Sequence, residues 1–160
     1  MPATVLYVHH RRGLDGIARW ELEGSGPISQ VQAQQLVGTG FVKVMPVIDL
    51  ADTIVCDGYR ASDGLRQQTI LTMPTCNGPF CDRPARKGDF DHQVPWPLGP
   101  TSSDNGALPC RRHHRARTRG RWKVRILARG AYLWRSPVNR LYLVTPSGTI
   151  ALGKACGPDP

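Results

Sequence analysis

Residues 76–114 read CNGPFCDRPARKGDFDHQVPWPLGPTSSDNGALPCRRHH and hold three of the five cysteines and three of the five histidines of a 160-residue chain. Large aliphatic residues shrink there to Val94, Leu98 and Leu108. Such a segment buries little apolar surface, so it is expected to need a metal to hold it together. Its cysteines are spaced for that purpose. Cys76 and Cys81 stand five apart across a turn containing Gly78 and Pro79, and Cys110 and His113 stand three apart. Two short-spaced pairs joined by a longer connection are how tetrahedral zinc sites are assembled, each turn giving two ligands. Cys76, Cys81, Cys110 and His113 are therefore expected to bind a structural zinc, the alternative being unrelated buried thiols beside a surface histidine.

Working outward, strand and helix signals flank this segment. ATVLYVHH (3–10) and IARWELE (17–23) read as a β-hairpin, broken afterwards by GSGP (24–27). Ser29 is placed to cap a short helix ending at Gly38, with Val31 and Leu36 as its apolar candidates. FVKVMPVIDL (41–50) reads as an edge strand because it contains Pro46. A second helix is predicted from about Ser62 to Leu71, with Pro74 closing it. After Gly120, RWKVRILA, AYLWRS and RLYLVT predict a three-stranded meander, followed by a loose tail, GKACGPDP. Trp96, Trp122, Tyr132 and Trp134 are expected in the core.

Charge is divided unequally. Residues 1–104 carry nine Lys/Arg against eleven Asp/Glu, whereas residues 105–160 carry twelve against Asp159 alone, within a total of +9. A basic half of this kind fits a polyanionic partner, with nucleic acid first, or else a solvated basic surface. The odd number of cysteines and the lack of a secretory pattern argue against a disulfide framework. Cys56 and Cys156 are expected to be free thiols. No apolar run approaches the ~20 residues of a membrane span, and a soluble, cytoplasmic protein is expected.

A second set of polar residues lies inside the cysteine frame. Asp91 and His92 follow a strand-like stretch, Asn105 ends the loop GPTSSDN, and His114 follows Pro109 at the start of a helix. Strand, loop and helix would carry a carboxylate, an amide and two imidazoles toward one point. Neighbours on a helix point about 100° apart, so His113 can face the zinc while His114 faces elsewhere. These residues, in DFDHQVPWPLGPTSSDN and CRRHHRARTRGRW, resemble the HNH motif of the ββα-metal nucleases. The likeness is closest to HNH proteins of high-GC bacteria that carry a large upstream domain of unknown function. It is dense over 76–120 and weaker over GPISQVQAQQL (26–36), VKVMPVIDLADTIVCDGY (42–59) and VTPSGT (144–149). The chain departs from the family pattern at Gly106 and Pro109, where leucine is usual.

The resemblance implies an α+β protein in three parts. Residues 1–75 would be an α+β remnant of the upstream domain in a truncated member, 76–120 the zinc-stabilised HNH core, and 121–160 an antiparallel β-meander with its tail. It implies a DNA endonuclease in which His92 is the general base that deprotonates water. Asp91 and His114 would hold one divalent cation, Mg²⁺, Mn²⁺ or another first-row ion, and Asn105 would keep His92 aimed. Products would carry 5′-phosphate and 3′-hydroxyl ends. Asp89 is a candidate helper, or else a turn residue facing solvent. In RRHHRARTRGRWKVR, the eight basic residues Arg111, Arg112, Arg115, Arg117, Arg119, Arg121, Lys123 and Arg125 are expected to contact DNA phosphates. The helix should end near Arg119 or Gly120. The other reading is a catalytically silent, zinc-stabilised DNA-binding relic of a mobile element.

Overall fold

The computed structural model describes residues 6–12, 17–38 and 49–155, and it divides the chain into two compact units, Met1–Pro46 and Val47–Pro160. The protein is α+β, with three α-helices and several antiparallel sheets among the described residues. The expected edge strand over 41–50 and Cys156 fall wholly or mostly outside those residues.

In the first unit the expected hairpin forms, its first strand running later than 3–10. Strand β1 (Val8–Arg12) pairs antiparallel with β2 (Ala18–Leu22), setting Val8 opposite Leu22 and His10 opposite Trp20. GSGP does more than break the pattern, because β3 (Gly26–Ile28) returns along β2 as a third strand. Gly24 and Gly26 make that reversal with φ of 82° and 94°, a region closed to most side chains. Helix α1 (Gln30–Gly38) begins with a reciprocal cap. Ser29 Oγ accepts from Gln32 N at 3.2 Å, and Gln32 Oε1 accepts from Ser29 N at 2.8 Å. Its buried residue is Ala33; Val31 is exposed and Leu36 half-buried.

The second unit starts with β4 (Val55–Cys56) and α2 (Asp63–Thr72). Ser62 Oγ caps α2 by accepting from Leu65 N, and Asp63 in the first turn complements the helix dipole. A single 3₁₀ turn (Ala85–Lys87) leads into β5 (Asp91–His92). Strand β6 (Thr101–Ser102) pairs with β4, and β7 (Gly106–Ala107) pairs with β5. Helix α3 (Arg111–Arg119) follows and ends at Gly120, as the sequence suggested.

Four strands close the unit, not three: β8 (Lys123–Ala128), β9 (Ala131–Arg135), β10 (Arg140–Thr145) and β11 (Gly148–Lys154), in the order β11-β10-β9-β8. The stretch GTIALGK was missed because its glycines dilute the strand pattern. Gly148 and Gly153 sit at positive φ, and a bulge lies at Leu141/Tyr142. Residues 148–154 thus run along β10, with Leu152 skipped at the bulge, and Gly153 and Lys154 of the expected tail belong to this strand.

Tyr132, Trp134 and Val144 point from the meander onto Met73 and Ala107, with Trp122, Val124, Ile126 and Tyr142 packed around them. Burial of one such side chain contributes about 1.5–3 kcal/mol. A smaller cluster joins Ile70, Ala85 and Leu108, with Phe90 against it. Ile70 of α2 and Met73, the residue that caps its end, enter the two clusters, so residues 63–73 belong to the same unit as the cysteine-rich segment. The expected boundaries at 75/76 and 120/121 both lie inside this unit. Trp96 differs from expectation: it lies in the VPWPL loop, is 39% exposed and belongs to neither cluster.

Candidate functional site

The two short-spaced pairs meet. Cys76, Cys81, Cys110 and His113 bring one ligand atom each to within 4.8 Å of all the others, so the group could hold a metal ion such as zinc. His113 Nδ1 lies 3.5 Å from Cys76 Sγ and 3.4 Å from Cys110 Sγ, and the Cys81 and Cys110 sulfurs are 4.0 Å apart. Zn–S bonds of about 2.3 Å and Zn–N bonds of about 2.0 Å at tetrahedral angles separate sulfurs by about 3.8 Å and sulfur from nitrogen by about 3.5 Å. The donor set and its spacing therefore fit zinc with little rearrangement.

Local backbone prepares the ligands. Gly78 N and Cys110 N both donate to Cys76 Sγ, at 3.3 and 3.2 Å, which favours the thiolate. Burial works the other way and pushes the Cys76 thiol up to about 12, so a bound cation must displace its proton. At Cys110 burial also raises, but the N–H groups of His113 and Arg112 and the neighbouring thiols bring the net shift down. Burial, then the charges of Arg112 and Arg83, lower His113, keeping its imidazole neutral as a ligand requires. Gly78 is needed for a reason the turn reading did not supply. A Cβ there would lie 2.2 Å from His113 Cγ, because the imidazole sits over the glycine.

The next residue of α3, His114, belongs to the other polar set. His114 Nε2 faces Asp91 Oδ1 at 3.7 Å, a separation that two ligands about 2.1 Å from one cation can have. Asp91 and His92 are held by β7, with Asp91 opposite Ala107 and His92 opposite Gly106. Gly106 suits that register: a Cβ there would come within 2.4 Å of the Phe90 ring and 3.0 Å of Ser102 O. Pro109 is fully buried and its carbonyl accepts from Asp89 N.

His92 is buried between two rings. Tyr59 stacks on it at 5.3 Å and 23°, and Phe90 meets it edge-on at 5.3 Å. Its Nε2 lies 2.8 Å from Thr101 Oγ1. Burial lowers the pKa of His92, Asp91 acts upward and Arg117 downward, so the ring is neutral near pH 7.

Asn105 is buried and ties the loop shut. Its Oδ1 accepts from Val94 N at 2.7 Å, while Nδ2 donates to Val94 O at 2.9 Å and Pro100 O at 2.8 Å. A Cβ at Gly99 would crowd that amide at 2.7 Å. Asn105 thus fixes the two ends of the 94–100 loop, immediately after His92.

The basic residues divide into two groups. Arg111, Arg112, Arg115, Arg119, Arg121, Lys123 and Arg125 are exposed. Arg117 turns inward instead. One Nη donates to Asp91 Oδ2, and the other donates to the carbonyls of His92 and Gln93, each at 2.8 Å. Helical periodicity puts it one turn past His113 and His114, on the face toward β5, which the charge count could not distinguish. Asp89 pairs with Arg111 at 3.2 Å and leaves Oδ2 buried without a partner.

Three residues not singled out from the sequence also support the site. Gln68 of α2 donates to Asp49 O and Asp52 O, both at 2.8 Å, and accepts from Ser103 Oγ. Arg129 donates to Leu50 O, Ala51 O and Asp52 O and pairs with Asp104 at 2.7 Å. Together they bind residues 49–54 to the SSDN loop. Thr101, completely buried, contacts His92. A buried polar residue has no linear pattern, so only a contact map finds it.

No family model matches the chain, and no solved structure matches it. Its curated relatives are proteins of Mycobacterium tuberculosis. The uncharacterized protein Rv2100 of strain H37Rv and the uncharacterized protein MT2160 of strain CDC 1551 are each 38% identical over 93 residues. The uncharacterized protein Rv3776 is 36% identical over 95 residues. These alignments cover 58–59% of this chain but only 17–18% of the relatives, so the chain matches less than a fifth of their length. Among the described residues, no helix is long and apolar enough to cross a membrane.

Proposed function

We propose that this chain is a metal-dependent DNA endonuclease of the HNH type, with a structural zinc at Cys76, Cys81, Cys110 and His113. The observation that carries the reading is the meeting of Asp91 and His114 at 3.7 Å, with His92 fixed beside Asp91 on the same short strand. A divalent cation bound between Asp91 and His114 would offset negative charge on a phosphodiester.

The other parts follow from this chain's own side chains. His92, neutral and buried, takes a proton from a water molecule. That oxygen forms a bond to phosphorus, the bond to O3′ breaks, and the 3′ oxygen takes up a proton from solvent. Asn105 keeps the loop after His92 closed. The exposed arginines and Lys123 would bind phosphates without choosing sequence, so affinity would fall steeply with salt.

One observation favours a second reading, a silent zinc-stabilised DNA-binding module: the Arg117 guanidinium already lies on Asp91 Oδ2. Plasmid nicking separates the two. The nuclease reading expects nicking with Mg²⁺ or Mn²⁺ that disappears in His92→Ala. Zinc-loaded wild-type protein that binds DNA but never nicks it, with either cation, would overturn that reading and leave the silent module.

A further inference from the structure

Thr101 stands in the GPTSSDN stretch with no role assigned to it, yet it makes the one hydrogen bond of the His92 ring among the described residues. It lies in β6, paired with β4, and it is 0% exposed. Its hydroxyl has two contacts: His92 Nε2 at 2.8 Å and the carbonyl of Tyr59 at 3.4 Å. A hydroxyl carries one proton, and a carbonyl can only accept. Both contacts are hydrogen bonds at once when the Thr101 proton goes to Tyr59 O and the Thr101 oxygen accepts from His92. This arrangement places the imidazole proton on Nε2. The reverse arrangement would give Nδ1 a proton with no acceptor among the described residues and would leave Tyr59 O without this donor.

We propose that Thr101 is a positioning residue that, anchored on the Tyr59 carbonyl, holds His92 in its Nε2–H tautomer and leaves Nδ1 as the basic nitrogen. The stacked Tyr59 ring and the edge-on Phe90 ring stop the imidazole from flipping to exchange the two nitrogens. Segment 57–60 thereby gains a role: its backbone sets the proton and its ring sets the plane. The consequence for catalysis rests on the nuclease reading, whereas the tautomer does not.

Nitrogen-15 NMR of the histidine side chains in the full chain tests this directly, with the His92 signals identified by their loss in His92→Gln. Wild type is expected to show the pattern of a protonated Nε2 and a bare Nδ1. Thr101→Ser should keep it. Thr101→Val, close in shape but without the hydroxyl, should shift His92 toward a mixture of tautomers. In plasmid nicking with Mn²⁺, Thr101→Val should lose part of the roughly 10²–10⁴-fold that a positioned general base contributes, and Thr101→Ser should recover most of it. A bare Nε2 in wild type overturns the proposal, and that measurement stands even if Thr101→Val does not fold. An unchanged tautomer in folded Thr101→Val overturns it too. The expected tautomers without nicking by wild type would support the positioning role and remove the nuclease reading instead.

Discussion

Arg117 lies across one oxygen of the Asp91 carboxylate and leaves the other facing His114. The same guanidinium fixes the carbonyls of His92 and Gln93, so one side chain of α3 holds both residues of β5 in place. Arg117→Ala leaves three acceptors without their donor. It should destabilise the fold by about 2 kcal/mol, less than the ~3–5 kcal/mol of a fully buried broken pair because Arg117 keeps some exposure. Arg117→Lys should not recover the loss, since an ammonium cannot reproduce the planar fork. Urea unfolding of the three proteins checks this, and a full recovery by lysine would contradict it.

Zinc should be found near one equivalent per chain by elemental analysis. A strong chelator or Cys110→Ser should lower the melting temperature by well over ten degrees, because binding at such a site contributes about 10 kcal/mol or more to folding. An unchanged melting curve would exclude a structural metal at this cluster.

Gly78→Ala should weaken zinc binding sharply, because the added methyl would overlap the His113 ring. Gly58→Ala is the matched control, since nothing lies within 4 Å of its position. Competition against a chromogenic chelator would rank the two; equal affinities would mean that His113 does not sit over Gly78.

Asn105→Asp keeps an acceptor for Val94 N but loses the donor to two carbonyls and sets an oxygen against them. It should cost about 2–4 kcal/mol, the price of unpaired buried groups, and it should abolish nicking. Proteolysis at the 94–100 loop, faster in the variant than in wild type, would report the opened loop.

Acid should loosen the strap over residues 49–54. The side-chain hydrogen bond from Arg129 holds Asp104 below its ordinary 3.8, with burial acting upward and the Arg129 charge adding to the lowering. The folded form therefore binds this proton less readily than the unfolded chain. The stabilisation is complete above pH 3.8 and is lost as pH falls through the lower folded value. Arg129→Gln should remove that dependence, so the stability difference from wild type should shrink as pH falls below 3.8. A difference that stays constant through acid would show that the pair carries none of it.

The ligand cluster in 76–114 was legible because its chemistry is linear. Ligand pairs lie within single turns, and Asp91 and His92 are neighbours. Glycines marked turns correctly, but Gly78 and Gly106 are required by contacts with His113 and Phe90 that lie far away in sequence. The fourth meander strand was hidden because its glycines sit at positive φ, where strand propensity is a poor guide.

The sequence by itself determined the four-ligand cluster, the extent of α3 and the basic half of the chain, because each depends on spacing within a few residues or on composition. Tertiary structure alone decided the rest. It joined α2 to the cysteine-rich segment through Ile70 and Met73, turned Arg117 inward while its neighbours face solvent, and brought Thr101 and Tyr59 onto His92. Those outcomes depend on which buried donor meets which acceptor across long stretches of chain, and local pattern carries no record of that pairing.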